Sequence, residues 1–256
     1  MMFDTHMHGE FSTDSKMGIE EAIIESRKYD LGIIITDHMD LNFHDKSKFR
    51  FNEEEYFKKY NPFRDEKVLL GIEIGMSKNY IDDYRNICKN YPFDYVIGSV
   101  HDMYDIDLYY ADELYKNKSK KEFYEEYFIQ IADSINTHPF IDSLGHIDYL
   151  SRCAKYEDKE MYYEEFKEHI DYVLKTLVNK EICIELNTRR LENEKAVNNL
   201  IKIYNRYKEL GGKYITIGSD AHNVESVGKN FKIALKMAEH CQLKPVHFEN
   251  RQIQYD

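Results

Sequence analysis

The stretch Phe3-Asp4-Thr5-His6-Met7-His8 is a short apolar entry that runs at once into two histidines one residue apart. Side chains two apart on a strand point to the same face, so His6 and His8 offer two imidazoles to one side of a strand end. Alone, the pair says little. Its force comes from repetition along the chain. Ile33-Ile34-Ile35-Thr36-Asp37-His38, Val68-Leu69-Leu70-Gly71-Ile72-Glu73, Val96-Ile97-Gly98-Ser99-Val100-His101, Ser143-Leu144-Gly145-His146 and Tyr214-Ile215-Thr216-Ile217-Gly218-Ser219-Asp220-Ala221-His222 are each an apolar, strand-like run ending in His, Asp or Glu.

Helical spacing fills the intervals. Ile19, Ala22 and Ile23 mark the buried face of a first helix, with Asp14 or Ser15 placed to cap it. Further helices are predicted near 53–60, over 78–89 before Pro92, and after a Ser119 cap with a stripe of Tyr124, Tyr127, Phe128, Ile131 and Ile135. Others follow over 159–179, over 193–210 with Val197, Leu200, Ile201 and Tyr204 buried before Gly211-Gly212, and over 228–241. Residues 182–187 read as a further strand and 246–249 as a short last one. Strand and helix thus alternate seven times with no repeat, low-complexity segment or Gly/Ser linker. Such alternation means parallel strands with helical crossovers, and this many units favours closure into an α/β barrel, one domain over residues 1–256. Barrel chemistry gathers at the C-terminal ends of the strands, where every run above places its polar residue. The long connections 39–65 and 102–118 are expected to overlie that end.

Composition narrows the partners. The 256 residues are 42% hydrophobic, enough to fill such a core, and carry a net charge of −12 with no basic stripe, which argues against nucleic acid. Divalent ions bound together would reverse the sign locally and attract phosphate to an acidic protein. Cys88, Cys153, Cys183 and Cys241 lie far apart with no C-x-x-C pair, so neither a zinc knuckle nor a disulfide framework is indicated, and a reducing cytoplasm is expected. No basic segment precedes a short apolar one at the start, and no run of about 18 apolar residues occurs, so no membrane is expected.

Nine residues stand out: His6, His8, Asp14, His38, Glu73, His101, His146, Asp220 and His222. Any one alone is more readily a hydrogen-bonded core residue, and Asp14 alone a helix cap. Jointly that reading fails, because a barrel rim would bury six imidazoles and three carboxylates against a large desolvation cost. Metal ions remove the cost, since imidazole and carboxylate are natural ligands of zinc, iron and manganese. His44, His138, His169, His240 and His247 fall in helices, loops and the C-terminal tail and read as surface or capping residues.

This ordered series resembles the PHP (polymerase and histidinol phosphatase) family over nearly the whole chain. The resemblance implies a distorted (β/α)7 TIM-like barrel with three divalent ions, zinc, iron or manganese. By it, His6, His8, Glu73 and Asp220 would hold one ion. Glu73 would bridge to a second, held also by His101 and His146. Asp14, His38 and His222 would hold the third. Many members have His where this chain has Asp14, but Phe11-Ser12-Thr13-Asp14-Ser15 matches an F-S-x-D-S context in the branch that hydrolyses histidinol phosphate. The segments Gly145 to Arg152 and Glu185 to Arg189 look like those that supply Arg152 and Arg189 to the substrate phosphate, a task suited to the planar guanidinium fork. Arg190 would then point elsewhere, and Asp148 reads as a supporting group.

The activity implied is hydrolysis of a small phosphomonoester, L-histidinol phosphate, in histidine biosynthesis. Water acidified between two ions attacks phosphorus, Arg152 and Arg189 neutralise the phosphoryl oxygens, and Asp220 and His101 join the reacting groups. Rival readings are the same chemistry on a nucleotide, phosphotyrosine or sugar phosphate, a non-catalytic metal-binding module, and a metal-dependent amidohydrolase. The arginines argue against the last, since a neutral amide does not need them.

Overall fold

The computed structural model describes residues 1–255. Seven strands form the barrel wall: β1 (Phe3–Met7), β2 (Gly32–Ile35), β3 (Val68–Gly75), β4 (Tyr95–Ser99), β5 (Ser143–Leu144), β6 (Cys183–Asn187) and β7 (Tyr214–Gly218). They pair in sequence order and all in parallel, as the alternation requires. A two-residue strand, His38–Met39, extends the sheet beside the upper end of β3, and Lys244–Pro245 pairs with the lower end of β7.

The circle closes without a full ladder. Among the described residues, only Met7 and Ala221 form a bridge there, supported by hydrogen bonds from Asp220 N to His6 O at 2.7 Å and from His8 N to Ala221 O at 2.8 Å. Below, side chains complete the seam: Thr5 donates to Ile217 O, and the buried Asp4 carboxylate accepts from the N–H groups of Ser219 and Gly228. The barrel is therefore tied at its upper rim, where β1 and β7 both deliver predicted site residues.

Period-2 alternation sorts the wall residues. Ile33, Ile35, Leu70, Ile72, Ile74 and Ile215 pack in the apolar layer that includes the surrounding helices. Phe3, Ile34, Leu69, Tyr95, Ile97 and Cys183 form a separate lower cluster, covered by Val246 and Phe248. Going up the same inward faces, Leu69 leads to Gly71 and Glu73, Tyr95 to Ile97 and Ser99, and Cys183 to Glu185 and Asn187. Phe3 and His6 are three apart, so a regular strand would turn them to opposite faces. The β1–β2 register shifts between Asp4 and Met7, and that irregularity lets Phe3 join the lower cluster while His6 meets Glu73 and Glu185 above.

Several local expectations shift. Neither Asp14 nor Ser15 caps the first helix, Ile19–Arg27; the N-cap is Gly18, whose N–H is bonded by Glu21. Residues 78–80 are 3-10, and the regular helix there is Ile81–Asn90. In Glu194–Glu209, Val197 and Ile201 are only half-buried, and Ala196, Leu200, Ile203, Tyr204 and Tyr207 carry the packing. Residues 247–249 pair antiparallel with 252–254 in a hairpin outside the barrel ladder. Among the described residues, no helix is long and apolar enough to cross a membrane.

Candidate metal centre

All nine predicted residues gather at the upper rim. Glu73, on the inward face of β3, is fully buried and central. Its Oε1 lies 3.1 Å from His146 Nε2, 3.3 Å from His101 Nε2 and 3.5 Å from His6 Nε2. Its Oε2 lies 2.8 Å from His38 Nδ1 and 3.6 Å from His8 Nε2. Asp220 Oδ1 approaches His8 Nε2 at 3.3 Å and His6 Nε2 at 3.9 Å. At the open mouth, Asp14 Oδ2 is 3.1 Å from His222 Nε2 and 3.7 Å from His38 Nε2.

Three groupings emerge whose donor atoms lie within 4.8 Å of one another: His6 with His8 and Glu73, Glu73 with His101 and His146, and His8 with His38 and His222. A fourth, His38 with Asp40 and His101, includes a residue that the sequence reading omits. The donor set fits divalent metal. His6 Nε2 and His8 Nε2 face each other at 3.1 Å, and the buried Glu73 Oε2 and His38 Nδ1 stand 2.8 Å apart without hydrogen-bonding alignment. Such convergence of lone-pair atoms calls for a cation among them.

Electrostatics agree. Burial pushes the Glu73 and Asp220 carboxyls up, but the opposing charges of His6, His101 and His38 around Glu73, and of Arg152 and His6 beside Asp220, hold both well below the usual range. Burial pulls His8 and His146 down, leaving them neutral and ready to ligate. Burial also pulls on His38, yet Glu73, Asp14 and Asp40 together raise it to about 10. Asp220 itself sits at φ 55°, a left-handed conformation that aspartate tolerates better than most residues.

The three arginines differ in their partners. Arg152, on the short helix Leu150–Cys153, pairs through Nη1 with Asp220 Oδ2, and its buried Nε and Nη2 have no hydrogen-bond partner among the described residues. Arg189 Nη1 comes within 3.6 Å of the same oxygen, from a half-exposed position. Arg190 turns away to Asp148, at 2.8 Å, and to Glu160. Arg152, Arg189, Arg190 and Lys159 share one cavity with Tyr109. Of the five set-aside histidines, His138 ends the helix Lys120–Thr137 and bonds Ser134 O, while His44 lines a cavity beside the rim.

Four supporting residues escape the sequence reading. Asp40 Oδ1 accepts from His101 Nδ1 at 3.0 Å. Ser12 accepts from His8 Nδ1 and from the His38 N–H, and donates to the buried Asp37 at 2.7 Å. Glu185 accepts from His6 Nδ1 at 2.7 Å. The available signals were Asp37 and Asp40 flanking a ligand, and a lone Glu in the apolar run Ile182 to Leu186.

Comparison with known proteins agrees with this geometry. The PHP domain family matches residues 4–189. The chain is 53% identical to a probable histidinol-phosphatase of Clostridium acetobutylicum, with 100% of both chains covered. It is 33% identical to a histidinol-phosphatase of Lactococcus lactis, over 86% of this chain and 83% of that one. The crystal structure of the Lactococcus lactis histidinol phosphate phosphatase, complexed with zinc, L-histidinol and phosphate, superposes with a TM-score of 0.91 at 30% identity, covering 99% of both chains.

Proposed function

The chain belongs to the PHP domain family, and from that premise we propose that it is a histidinol-phosphatase, hydrolysing L-histidinol phosphate to L-histidinol and phosphate. The observation that carries the reading is Arg152. A nearly buried guanidinium at the edge of the nine-residue centre keeps two N–H-bearing nitrogens unpaired. Buried donors are normally satisfied, and a phosphate fits a planar fork of this kind.

His6, His8, Glu73 and Asp220 would hold one ion, Glu73, His101 and His146 a second, and Asp14, His38 and His222 a third. Zinc, present in the Lactococcus lactis relative, suits these ligands, as do iron and manganese. Divalent ions in such a centre acidify water into a nucleophile and neutralise phosphoryl charge. Arg152 and Arg189 bind the phosphoryl oxygens and orient the ester. Phosphate on the free Nε and Nη2 edge of Arg152 leaves the Nη1 contact to Asp220 in place, so one guanidinium would hold substrate and Asp220 together. His101 is held by Asp40 with its Nε2 toward Glu73.

On the flank formed by His101 and Asp40, a cavity of about 230 Å³ is lined by Asp40, Asp102, Asp105 and Asp107 with Phe43 and Tyr110. Asp102 and Asp105 take Asn42 Nδ2, and among the described residues no lysine or arginine pairs with them. Burial lifts Asp102 to about 6. Histidinol phosphate carries an ammonium and an imidazole, which complement acidic and aromatic walls. A nucleotide or sugar phosphate has no cation for them, and free phosphotyrosine sets a repelled carboxylate beside its ammonium, so this flank favours histidinol phosphate over its rivals. We read residues 1–256 as one domain, since β1 and β7 close the same sheet. The cysteines, all free, fit the reducing cytoplasm in which we place the protein.

The test is kcat/KM across a panel of L-histidinol phosphate, a nucleoside monophosphate, phosphotyrosine and a hexose phosphate. Histidinol phosphate should lead by roughly 100-fold or more, as expected for a site with buried polar groups to satisfy. A lead by any other ester overturns the reading.

A further inference from the structure

We infer that Glu185 is a positioning residue that fixes ligands of two metal positions at once. This rests on the reading that His6 and His146 hold metal.

Glu185 sits midway along β6, on its inward face, and is fully buried. An apolar residue would serve packing there at far lower desolvation cost, and no lysine or arginine neutralises Glu185 by direct pairing among the described residues. Its oxygens are instead divided between two ligand-bearing segments. Oε1 accepts from His6 Nδ1 at 2.7 Å. Oε2 accepts from the His146 backbone N–H at 2.7 Å and from Asn187 Nδ2 at 3.1 Å. The neighbouring strand β7 makes room for this arrangement: a Cβ at Gly218 would collide with both Glu185 Oε1 and His6 Cβ.

Two consequences follow. A carboxylate can only accept, so His6 carries its proton on Nδ1 and turns Nε2 toward His8 and Glu73, as the nitrogen that would ligate metal. The same carboxylate anchors the backbone of His146, just beyond the two-residue strand β5, where the ladder gives little support. One buried group thus couples the first and second metal positions. Hydrogen-bonded partners behind metal ligands govern affinity in this manner.

The experiment compares wild type with Glu185→Gln. Glutamine matches the shape but can accept from only one of the two N–H groups while turning a donor on the other. Each protein is stripped with chelator and titrated with Zn²⁺ against a chromophoric competitor, with elemental analysis after dialysis. The expected result is a loss of zinc affinity of about 10- to 100-fold at one or two equivalents, with the remaining equivalent unchanged. Affinities equal to wild type at every equivalent overturn the inference. If the wild-type protein itself retains no zinc, the metal reading fails first, and separately. If the variant does not fold, ¹⁵N NMR of zinc-loaded wild type decides: a His6 protonated at Nδ1 supports the assignment, and one protonated at Nε2 overturns it.

Discussion

Two aspartate–arginine pairs occupy opposite ends of this barrel, and they are finished differently. At the lower end, the fully buried Asp94 takes Arg64 Nη2 at 2.6 Å and the N–H groups of Leu70 and Asn250 at 2.9 and 3.0 Å. Both of its oxygens are engaged by the chain itself. At the rim, Asp220 takes Arg152, but Arg152 keeps Nε and Nη2 unpaired. The lower pair is a closed hydrogen-bonded unit that ties β3, β4 and the C-terminal hairpin together. The upper pair is incomplete until something outside the chain joins it. On the proposed function, polar burial in one fold serves stability at one end and ligand capture at the other.

The largest effect expected from this contrast is on activity. Arg152→Ala should lower kcat/KM for L-histidinol phosphate by about 10²- to 10³-fold, the scale of losing a preorganised charge-stabilising group, while the metal content of the purified protein stays at the wild-type level. Loss of metal along with activity would mean that Arg152 serves mainly to hold Asp220, and the contrast between the two pairs would disappear.

Asp94→Ala should act in the opposite sense. Removing one partner of a buried pair leaves Arg64 and two backbone N–H groups uncompensated, at a cost of about 3 kcal/mol in urea unfolding. Turnover per metal-loaded molecule should not change. A variant of wild-type stability but impaired turnover would show that the lower pair also serves the site.

The smallest effect is a pH dependence confined to the lower end. His247 stacks on Phe3 with ring centroids 3.9 Å apart, and burial pulls its imidazole down to about 4. The folded state thus favours the neutral ring. Its contribution to stability is complete above the ordinary histidine value near 6.5 and is lost as pH falls toward 4. His247→Phe keeps a ring against Phe3 and removes the proton. The difference in melting temperature between the two proteins should therefore widen in favour of the variant from pH 6.5 to 4. A constant difference would show that His247 does not titrate in the fold.

The rim was legible in the sequence because strand ends repeat one pattern: an apolar run closed by His, Asp or Glu places its last residue at a barrel mouth whatever the exact tilt of the strands. The short helix Glu53–Tyr60 was equally plain. What escaped depends on contacts between segments distant in sequence. For Asp14, taken alone a helix cap and placed among the ligands only by the family resemblance, the local cause escaped: it faces His38 and His222 because Ser15 bonds the carbonyl oxygens of His8 and His222 and draws the loop across the mouth. The register shift in β1 has no local signature, since Asp4 and Thr5 become seam residues only when β7 arrives. Glu185 entered the sequence reading only as the start of the segment leading to Arg189, because its partners, His6 and the His146 N–H, lie on other strands.

The rim should become a phosphatase centre only with metal in it. His38 adds a proton count, because neighbouring carboxylates hold it protonated near neutral pH and ligation must release that proton. The direct measurement strips the protein with chelator, adds back Zn²⁺ or Mn²⁺ in steps, and follows phosphate release from L-histidinol phosphate and proton release together. Stripped protein should be inactive, with protons leaving as metal enters and turnover levelling off at three equivalents. Undiminished turnover by the metal-free protein would contradict a metal-dependent centre.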